Sequence, residues 1–320
     1  MTFHLGDRSD EPPSRNQPRV IPVGGGKGGV GKTFLVANLA AALARDGHRV
    51  VAVDGDLEGA NLHTCLGVPR PRVSLADFVA QREEDIPKLL LETPVDNLQL
   101  IAATAGNLST PQPSQARRVQ LMRGLRQIEA DFVFVDLGAG MHPAVMDYFM
   151  IGEDGVVVIT PEPTSVENAY AFLRAAFYRR LRLAMVSHGV RTVVTLAMDE
   201  RNERGIRTPL DLLREIRAID PTEGARFVET MRAFRPRVVV NDVRTADDIK
   251  LGFSIRSVCR KYFGIDAEYL GYVNHDDAAR RSIRDRRPIV ASKPRSDASI
   301  YITRIARKLA ASRRSATASR

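Results

Sequence analysis

A glycine-rich stretch near the start of the chain, VGGGKGGVGKT at residues 23–33, constrains the fold more than any other feature. It follows a short apolar run and opens an apolar, helix-like segment at residues 34–43. From Gly26 it fits the phosphate-binding loop pattern, which requires a strand before it and a helix after it. Glycines allow backbone N–H groups to close around phosphate oxygens, and a helix start adds partial positive charge. The stretch therefore predicts a phosphate site, with a ligand-free glycine turn as the alternative.

Two side chains at the end of this loop carry the predicted chemistry. Lys32 is expected to reach the outer phosphates, and the Thr33 hydroxyl is expected to bind Mg²⁺. A carboxylate is the usual second protein ligand of such a Mg²⁺ ion, so an acidic side chain is expected beside this loop.

Apolar runs rich in β-branched residues alternate with helix-like segments along most of the chain. This alternation predicts an α/β fold with a doubly wound, mostly parallel sheet covered by helices on both faces. We predict strands at residues 20–23, 49–53, 98–103, 131–136, 156–160, 192–196, 238–240 and 269–273. The main predicted helices are 34–45, 75–91, 114–129, a long one ending near 182, 246–262, 276–285 and 296–310.

The domain organisation is predicted from polar and proline-rich segments. Residues 1–18 are polar, contain prolines and lack periodicity, so we expect a disordered leader and no signal peptide. Residues 19–310 are expected to form a single domain, with a helical insert at about 199–237, and residues 311–320 a basic tail. The two cysteines are far apart in the sequence and outside any metal-ligand spacing, which favours a reduced, cytoplasmic environment.

The net charge of +9 is concentrated at the C-terminal end. Residues 280–320 contain 13 Lys or Arg and two Asp or Glu. Such a basic region could contact nucleic acid or an acidic membrane surface, or form a solvated face. Ile302, Ile305 and Leu309 form an apolar stripe there, which could enter a membrane or pack on the sheet.

Acidic residues end two of the predicted strands. Asp136 follows one apolar run, and Asp54 and Asp56 follow another. Ligands of parallel sheets bind at the C-terminal ends of the strands, where the phosphate loop also lies. Asp136 is therefore the expected Mg²⁺ ligand, while Asp54 and Asp56 suit metal coordination and orientation of an attacking water. Taken alone, each could instead be an ordinary turn or cap residue.

These residues resemble a known family. The run KGGVGKT at 27–33 resembles the deviant Walker A loop of the MinD/ParA ATPases, in which Lys27 is an additional, characteristic lysine. Residues 54–62 resemble the family's switch I, and residues 136–140 its switch II. Residues 160–170 resemble the MinD branch, especially FlhG-like regulators of flagellar number and placement. The resemblance extends from about residue 20 to 309, with a break over 198–237.

The resemblance implies a P-loop NTPase that uses ATP and Mg²⁺ and forms a homodimer around two nucleotides. It implies that Lys27 reaches the partner's phosphates, that Lys32 binds phosphates within its own chain and that Asp56 orients the attacking water. The metal ligands it implies are Thr33 and Asp136, and Asp54 is added to them as a candidate ligand from its place at the end of a strand. The nucleotide-binding residues implied are Gly26, Lys27, Gly28, Gly29, Val30, Gly31, Lys32, Thr33, Phe34, Gly138 and, at the adenine, Asn241. Where the family often has a proline-acid pair near the adenine, this chain has residues 274–276 with the sequence NHD.

Three functions remain open from the sequence. The first is a MinD/FlhG-like ATPase that acts as a spatial switch, positioning cellular machinery, which could be flagellar, from the cytoplasm at the inner membrane or cell pole. The second is a ParA-like ATPase that binds DNA nonspecifically through the basic C-terminal region. The third is a nucleotide-binding adaptor that hydrolyses little and recruits an as yet unidentified protein partner through the insert. The stretch before residue 19 does not resemble the activation motif of FlhG proteins, so the sequence supports no FlhF-type partner.

Overall fold

The computed structural model describes residues 17–104, 113–152, 155–199, 201 and 203–318, with side-chain environments as far as 312. The predicted leader therefore lies almost wholly outside the described residues. Within the described ranges, eight strands form one sheet with the order β3-β4-β2-β5-β1-β6-β7-β8. Neighbouring strands are parallel except for the antiparallel β3–β4 pair at one edge.

The bounds of the elements follow the predicted alternation closely. The strands are β1 Arg19–Gly24, β2 Val50–Asp54, β3 Leu91–Glu92, β4 Leu98–Ile101, β5 Phe132–Asp136, β6 Val156–Ile159, β7 Arg237–Val243 and β8 Glu268–Asn274. The helices are α1 Lys32–Arg45, α2 Leu62–Cys65, α3 Leu75–Val79, α4 Gln115–Leu125, α5 Pro143–Phe149, α6 Pro163–Ala184, α7 His188–Leu196, α8 Pro209–Ile219, α9 Pro221–Ala233, α10 Ala246–Phe263, α11 Asp277–Arg284, α12 Ile289–Ser292 and α13 Asp297–Ala318. A short 3₁₀ helix spans Ile86–Leu89.

Helices cover both faces of the sheet and enclose two hydrophobic cores. One core packs α1, α2 and α11–α13 against one face, and the other packs α3–α10 against the opposite face. Strands β2 and β5 are buried along their whole length, as expected for central parallel strands made of continuous apolar residues. The predicted doubly wound, mostly parallel α/β fold is confirmed.

Three predicted elements were wrong. Residues 192–196 belong to helix α7 rather than to a strand, because Val190, Val193 and Val194 are buried at helical spacing. The predicted helix 75–91 is two short pieces, separated by a turn in which Gln81 has a positive φ of 60°. The last helix runs to Ala318 instead of 310, so the segment predicted as a tail from 311 is helical to that point.

The apolar stripe of α13 packs on the protein itself. Ile302, Ile305 and Leu309 are all buried, and Ile305 approaches Gly271 of β8. The stripe is therefore part of the core, and the expectation that it could enter a membrane is not met. Among the described residues, no helix has both the length and the apolar character of a membrane span.

Candidate functional site

The loop between β1 and α1 has the shape that its glycines predict. Gly29 and Gly31 have φ values of 79° and 93°, a left-handed conformation that glycine adopts without strain. A Cβ atom at Gly26 would overlap the backbone carbonyl of Asn168 in α6, so only glycine fits at that position. The loop thus lies at the central strand, at the carboxyl edge of the sheet, with α6 against its first half.

Lys32 is the buried cation of the loop. It is 8% exposed, and its Nζ donates to the carbonyl oxygen of Lys27 at 3.3 Å. Burial lowers the pKa of Lys32, while the carboxylates of Asp136 and Asp56 oppose that shift. Thr33 and Phe34 follow in the first turn of α1, where backbone N–H groups have no partner within the helix. The predicted phosphate-binding residues are therefore brought together around one concave loop.

Two buried carboxylates end neighbouring strands at the same edge of the sheet as this loop. Both oxygens of Asp54 accept backbone hydrogen bonds, Oδ1 from Asp56 and Oδ2 from Leu62, each at 3.2 Å. Asp54 and Asp136 are register partners at the ends of β2 and β5, and they are 0% and 2% exposed. Burial raises the pKa of Asp54 to about 8, with the Asp136 charge contributing, and burial raises the pKa of Asp136 to about 7. The side-chain hydrogen bond between Thr33 and Asp136 acts in the opposite direction on the pKa of Asp136.

This arrangement fits a Mg²⁺ ion. Asp136 Oδ1 is buried without a hydrogen-bond partner in the described part of the chain, next to the hydroxyl of Thr33. A buried carboxylate oxygen that lacks a donor is suited to a hard cation, which would also favour the ionised form. The described residues contain no cluster of three or more His, Cys, Asp or Glu that could hold a metal. Mg²⁺ needs none, because it binds through one or two carboxylates together with substrate phosphates and water.

The raised pKa values make the stability of the nucleotide-free protein pH-dependent. Between the ordinary aspartate pKa of 3.8 and about 7, the folded chain holds protons that the unfolded chain releases. Stability therefore falls as pH rises through this window, at up to about 1.4 kcal/mol per pH unit for each such carboxyl group. In Mg²⁺-free buffer we expect the wild-type Tm to fall between pH 5 and 7, and Asp136→Asn to reduce that fall. Equal pH slopes for the two proteins in thermal melts would contradict the buried-carboxylate assignment.

Asp56 belongs to the predicted switch I segment and lies against the predicted switch II segment. Its Oδ1 accepts hydrogen bonds from the backbone N–H groups of Gly59 at 2.8 Å and Glu58 at 3.2 Å. A Cβ atom at Gly138 would lie 3.3 Å from Asp56 Cγ, so the two segments are in close contact. The half-buried carboxylate is thus held at the edge of the loop, where it could orient water.

Lys27 is directed away from its own phosphate loop. Its Nζ donates to Glu162 Oε2 at 2.8 Å and to Thr164 Oγ1 at 3.0 Å, at the start of α6. Sequence reasoning did not identify Glu162 and Thr164 as the partners of Lys27. Both lie in residues 160–170, the stretch that resembles the MinD branch. That resemblance is the one feature of the sequence that points to these two residues.

Asn241 is placed against the loop, as the prediction requires. It lies in β7, and its Nδ2 donates to the carbonyl oxygen of Val30 at 2.9 Å. Its amide nitrogen also fills the space beside Gly31. The role of Asn241 at an adenine stays a prediction, while its position beside the loop is a structural fact.

Comparison with known proteins agrees with this geometry. A family model for the CobQ/CobB/MinD/ParA nucleotide binding domain matches residues 21–289. The antiactivator FleN of Pseudomonas aeruginosa is 27% identical over 298 residues, which cover 92% of this chain and 88% of FleN.

Two solved structures share the fold. The septum site-determining protein MinD of Pyrococcus horikoshii, complexed with Mg-ADP, has a TM-score of 0.58 at 20% identity, covering 91% of this chain and 96% of that chain. A ParA family ATPase from Chlorobium tepidum has a TM-score of 0.58 at 19% identity, covering 90% of this chain and 97% of that chain. The family model covers most of the sequence, so the chain belongs to the CobQ/CobB/MinD/ParA nucleotide-binding domain family.

Proposed function

We propose that this protein is an ATPase that dimerises around ATP and Mg²⁺ and acts as a spatial switch for other cellular machinery. The observation that carries the proposal is the different placement of two lysines in one loop. Lys32 is buried beside the Asp136 and Asp56 carboxylates, whereas Lys27 points outward and lies 38% exposed at the surface. A surface lysine at a phosphate loop is available to a second copy of the chain, which makes turnover depend on dimerisation.

Each residue of the site would have its own role in phosphoryl transfer. Backbone N–H groups of residues 26–34 and Lys32 would hold the phosphates, and Thr33, Asp54 and Asp136 would hold Mg²⁺. A bound Mg²⁺ ion neutralises charge on the outer phosphates. Asp56, fixed by Gly59, would orient water for attack, and Gly138 beside it would sense the outer phosphate. Lys27 of the second copy would add positive charge at the outer phosphate. Because hydrolysis removes that phosphate, it would also remove this contact and release the dimer.

The experiment is ATP turnover by the purified protein with and without Mg²⁺. We expect Mg²⁺-dependent turnover in the wild type and a loss of about 10²-fold or more in Asp56→Ala, because a positioned group that activates water contributes on that scale. ATP affinity should be retained in the variant, which serves as its folding control. Wild-type ATP binding with no turnover would contradict the ATPase proposal and favour the adaptor function. Undiminished turnover in Asp56→Ala would remove Asp56 from the mechanism.

The similarity to FleN and MinD supports a positioning role at the membrane or pole. The proposal includes flagellar components as the machinery that is positioned. It also includes a cytoplasmic location and binding to a protein partner. The buried stripe of α13 means that any membrane contact must use another surface or a partner protein. Localisation of a fluorescent fusion tests this role, since Asp56→Ala should persist at the pole or membrane longer than the wild type. Diffuse fluorescence in both proteins would contradict it.

A second function, DNA binding of the ParA type, is favoured by the distribution of charge. Two basic residues of α13 are neutralised, because Arg307 pairs with Asp46 at 2.9 Å and Lys308 with Glu268 at 3.4 Å. The arginines of α11 and the turn after it are different. They are exposed and make no ion pair with any acidic residue in the described ranges; they are Arg280, Arg281, Arg284, Arg286 and Arg287. Guanidinium groups without partners suit a phosphate backbone.

Duplex binding by this arginine group can be measured against a matched control. The double variant Arg284→Gln/Arg287→Gln removes two phosphate contacts. It should reduce the steepness of the plot of log K for duplex binding against log salt concentration by about 1.8. Arg182→Gln/Arg232→Gln removes the same charge from exposed positions elsewhere and should leave the slope unchanged. Equal losses in the two double variants, or no duplex binding by the wild type, would contradict this second function.

A further inference from the structure

An ion-pair cluster lies directly beside Asn241, at the ends of β7 and β8. Asp242 Oδ1 lies 2.5 Å from His275 Nδ1, and Arg244 Nη2 lies 3.7 Å from Asp242 Oδ2. On the other side of the imidazole, Asp277 lies 3.7 Å from Nε2. Arg244 Nη2 also lies 3.0 Å from His275 Nδ1, so the carboxylate, the imidazole and the guanidinium are all in mutual contact. This cluster joins the residue after Asn241 to the residue after β8.

The backbone at Asp242 is unusual. Its φ is 60°, a left-handed conformation that is unfavourable for most residues and that aspartate tolerates better than most. The pairing of β7 with β8 shifts register between Val240 and Val243, which marks an irregularity at Asn241 and Asp242. Adjacent residues of a regular strand point to opposite faces, whereas an irregularity of this kind re-aims side chains. The conformation of Asp242 therefore affects the direction of the Asn241 side chain.

The contact between Asn241 and the loop fixes the orientation of its amide. Nδ2 donates to the carbonyl oxygen of Val30, which is an acceptor only, so the amide cannot flip without losing this bond. Oδ1 is then the outward atom, and the described residues supply no hydrogen bond to it. This oxygen can accept a hydrogen bond from the exocyclic amine of adenine. It would repel the exocyclic oxygen of guanine, because both atoms are acceptors.

We propose that the Asp242–His275 pair is a positioning device that sets Asn241 and thereby the preference of the nucleotide site for adenine over guanine. This inference rests on the proposed function, since it presumes that a purine nucleotide binds at the loop. Neither Asp242 nor His275 needs to touch the base. Their effect passes through the backbone of β7 to the amide of Asn241.

The test compares the affinities for fluorescent ATP and GTP analogues, expressed as a ratio, in Mg²⁺ buffer. Both nucleotides use the same phosphate contacts, so general damage to the loop weakens both and leaves the ratio unchanged. We expect the wild type to favour ATP by roughly tenfold, the scale of one hydrogen bond gained and one repulsion avoided. Asp242→Ala and His275→Ala should each bring the ratio about threefold or more closer to one. The double variant should go little further, because the two residues act as a unit.

Three variants separate the pair from its surroundings. Asp242→Gly allows the left-handed backbone but lacks the carboxylate, so it should lose selectivity as Asp242→Ala does. Asp242→Asn tolerates that backbone and keeps a side-chain oxygen within reach of the imidazole and of Arg244, so it should retain most of the ratio. Asp277→Ala removes the more distant carboxylate and should leave the ratio unchanged. Wild-type selectivity in Asp242→Gly and His275→Ala would overturn the inference, whereas a wild type that binds neither nucleotide would overturn the proposed function instead.

Discussion

Replacing Lys32 by alanine is expected to abolish ATP binding at micromolar concentrations. Lys32 is buried, its pKa is lowered by that burial, and its charge lies near Asp136 and Asp56. Its removal deletes the buried cation that faces the phosphates and leaves the two carboxylates to repel them. Loss of one partner from a buried charge pair costs roughly 2–5 kcal/mol, which corresponds to a rise in Kd of about 30-fold to 4,000-fold.

The measurement is a titration with a fluorescent ATP analogue, accompanied by a thermal melt to confirm folding. Lys293→Ala provides the control, because Lys293 is an exposed lysine of the same charge that lies outside the loop. The control should bind ATP as the wild type does. Micromolar affinity in a folded Lys32→Ala variant would remove the phosphate-site assignment altogether.

Replacing Lys27 by alanine is expected to separate binding from turnover. Its Nζ contacts Glu162 and Thr164 rather than the interior of its own loop, so a monomer without Lys27 should bind ATP within about threefold of wild type. Turnover should fall by about 10²-fold or more, because a positively charged group that acts on the transferring phosphate contributes on that scale. Single-turnover and binding assays on the same sample measure the two effects.

Glu162→Gln is the matched variant for Lys27→Ala. It weakens the contact that holds Lys27 within its own chain but leaves the lysine present. Because that contact must break before Lys27 can reach a partner, Glu162→Gln should keep at least wild-type turnover at saturating ATP. Wild-type turnover in Lys27→Ala would show that the lysine has no role in hydrolysis, and loss of turnover in Glu162→Gln would show that Glu162 does more than hold Lys27.

Much of the site was predictable because it depends on local patterns. The glycine spacing of residues 26–31 determines the loop, and β-branched runs determine the strands on either side. Asp54 and Asp136 end two such runs, and parallel strands bring their carboxyl ends to one edge of the sheet. Their meeting as register partners therefore follows from the fold class.

Other features depend on distant contacts that leave no periodic trace in the sequence. Lys27 and Glu162 are 135 residues apart, and they meet because α6 passes over Gly26. The valine and threonine content of residues 192–196 favours a strand, but packing against α6 and α8 stabilises a helix there. The stripe of α13 was ambiguous because three apolar residues look alike whether a bilayer or a sheet covers them.

The most direct test of the ATP-gated dimer is sedimentation velocity on Asp56→Ala, the variant expected to bind ATP without hydrolysing it. With ATP and Mg²⁺, the 35.3 kDa chain should sediment as a dimer, whereas with ADP and Mg²⁺ it should remain a monomer. Adding Lys27→Ala to the same variant should restore the monomer in ATP. A monomer in both nucleotides, or a dimer that persists without Lys27, would contradict the proposed switch.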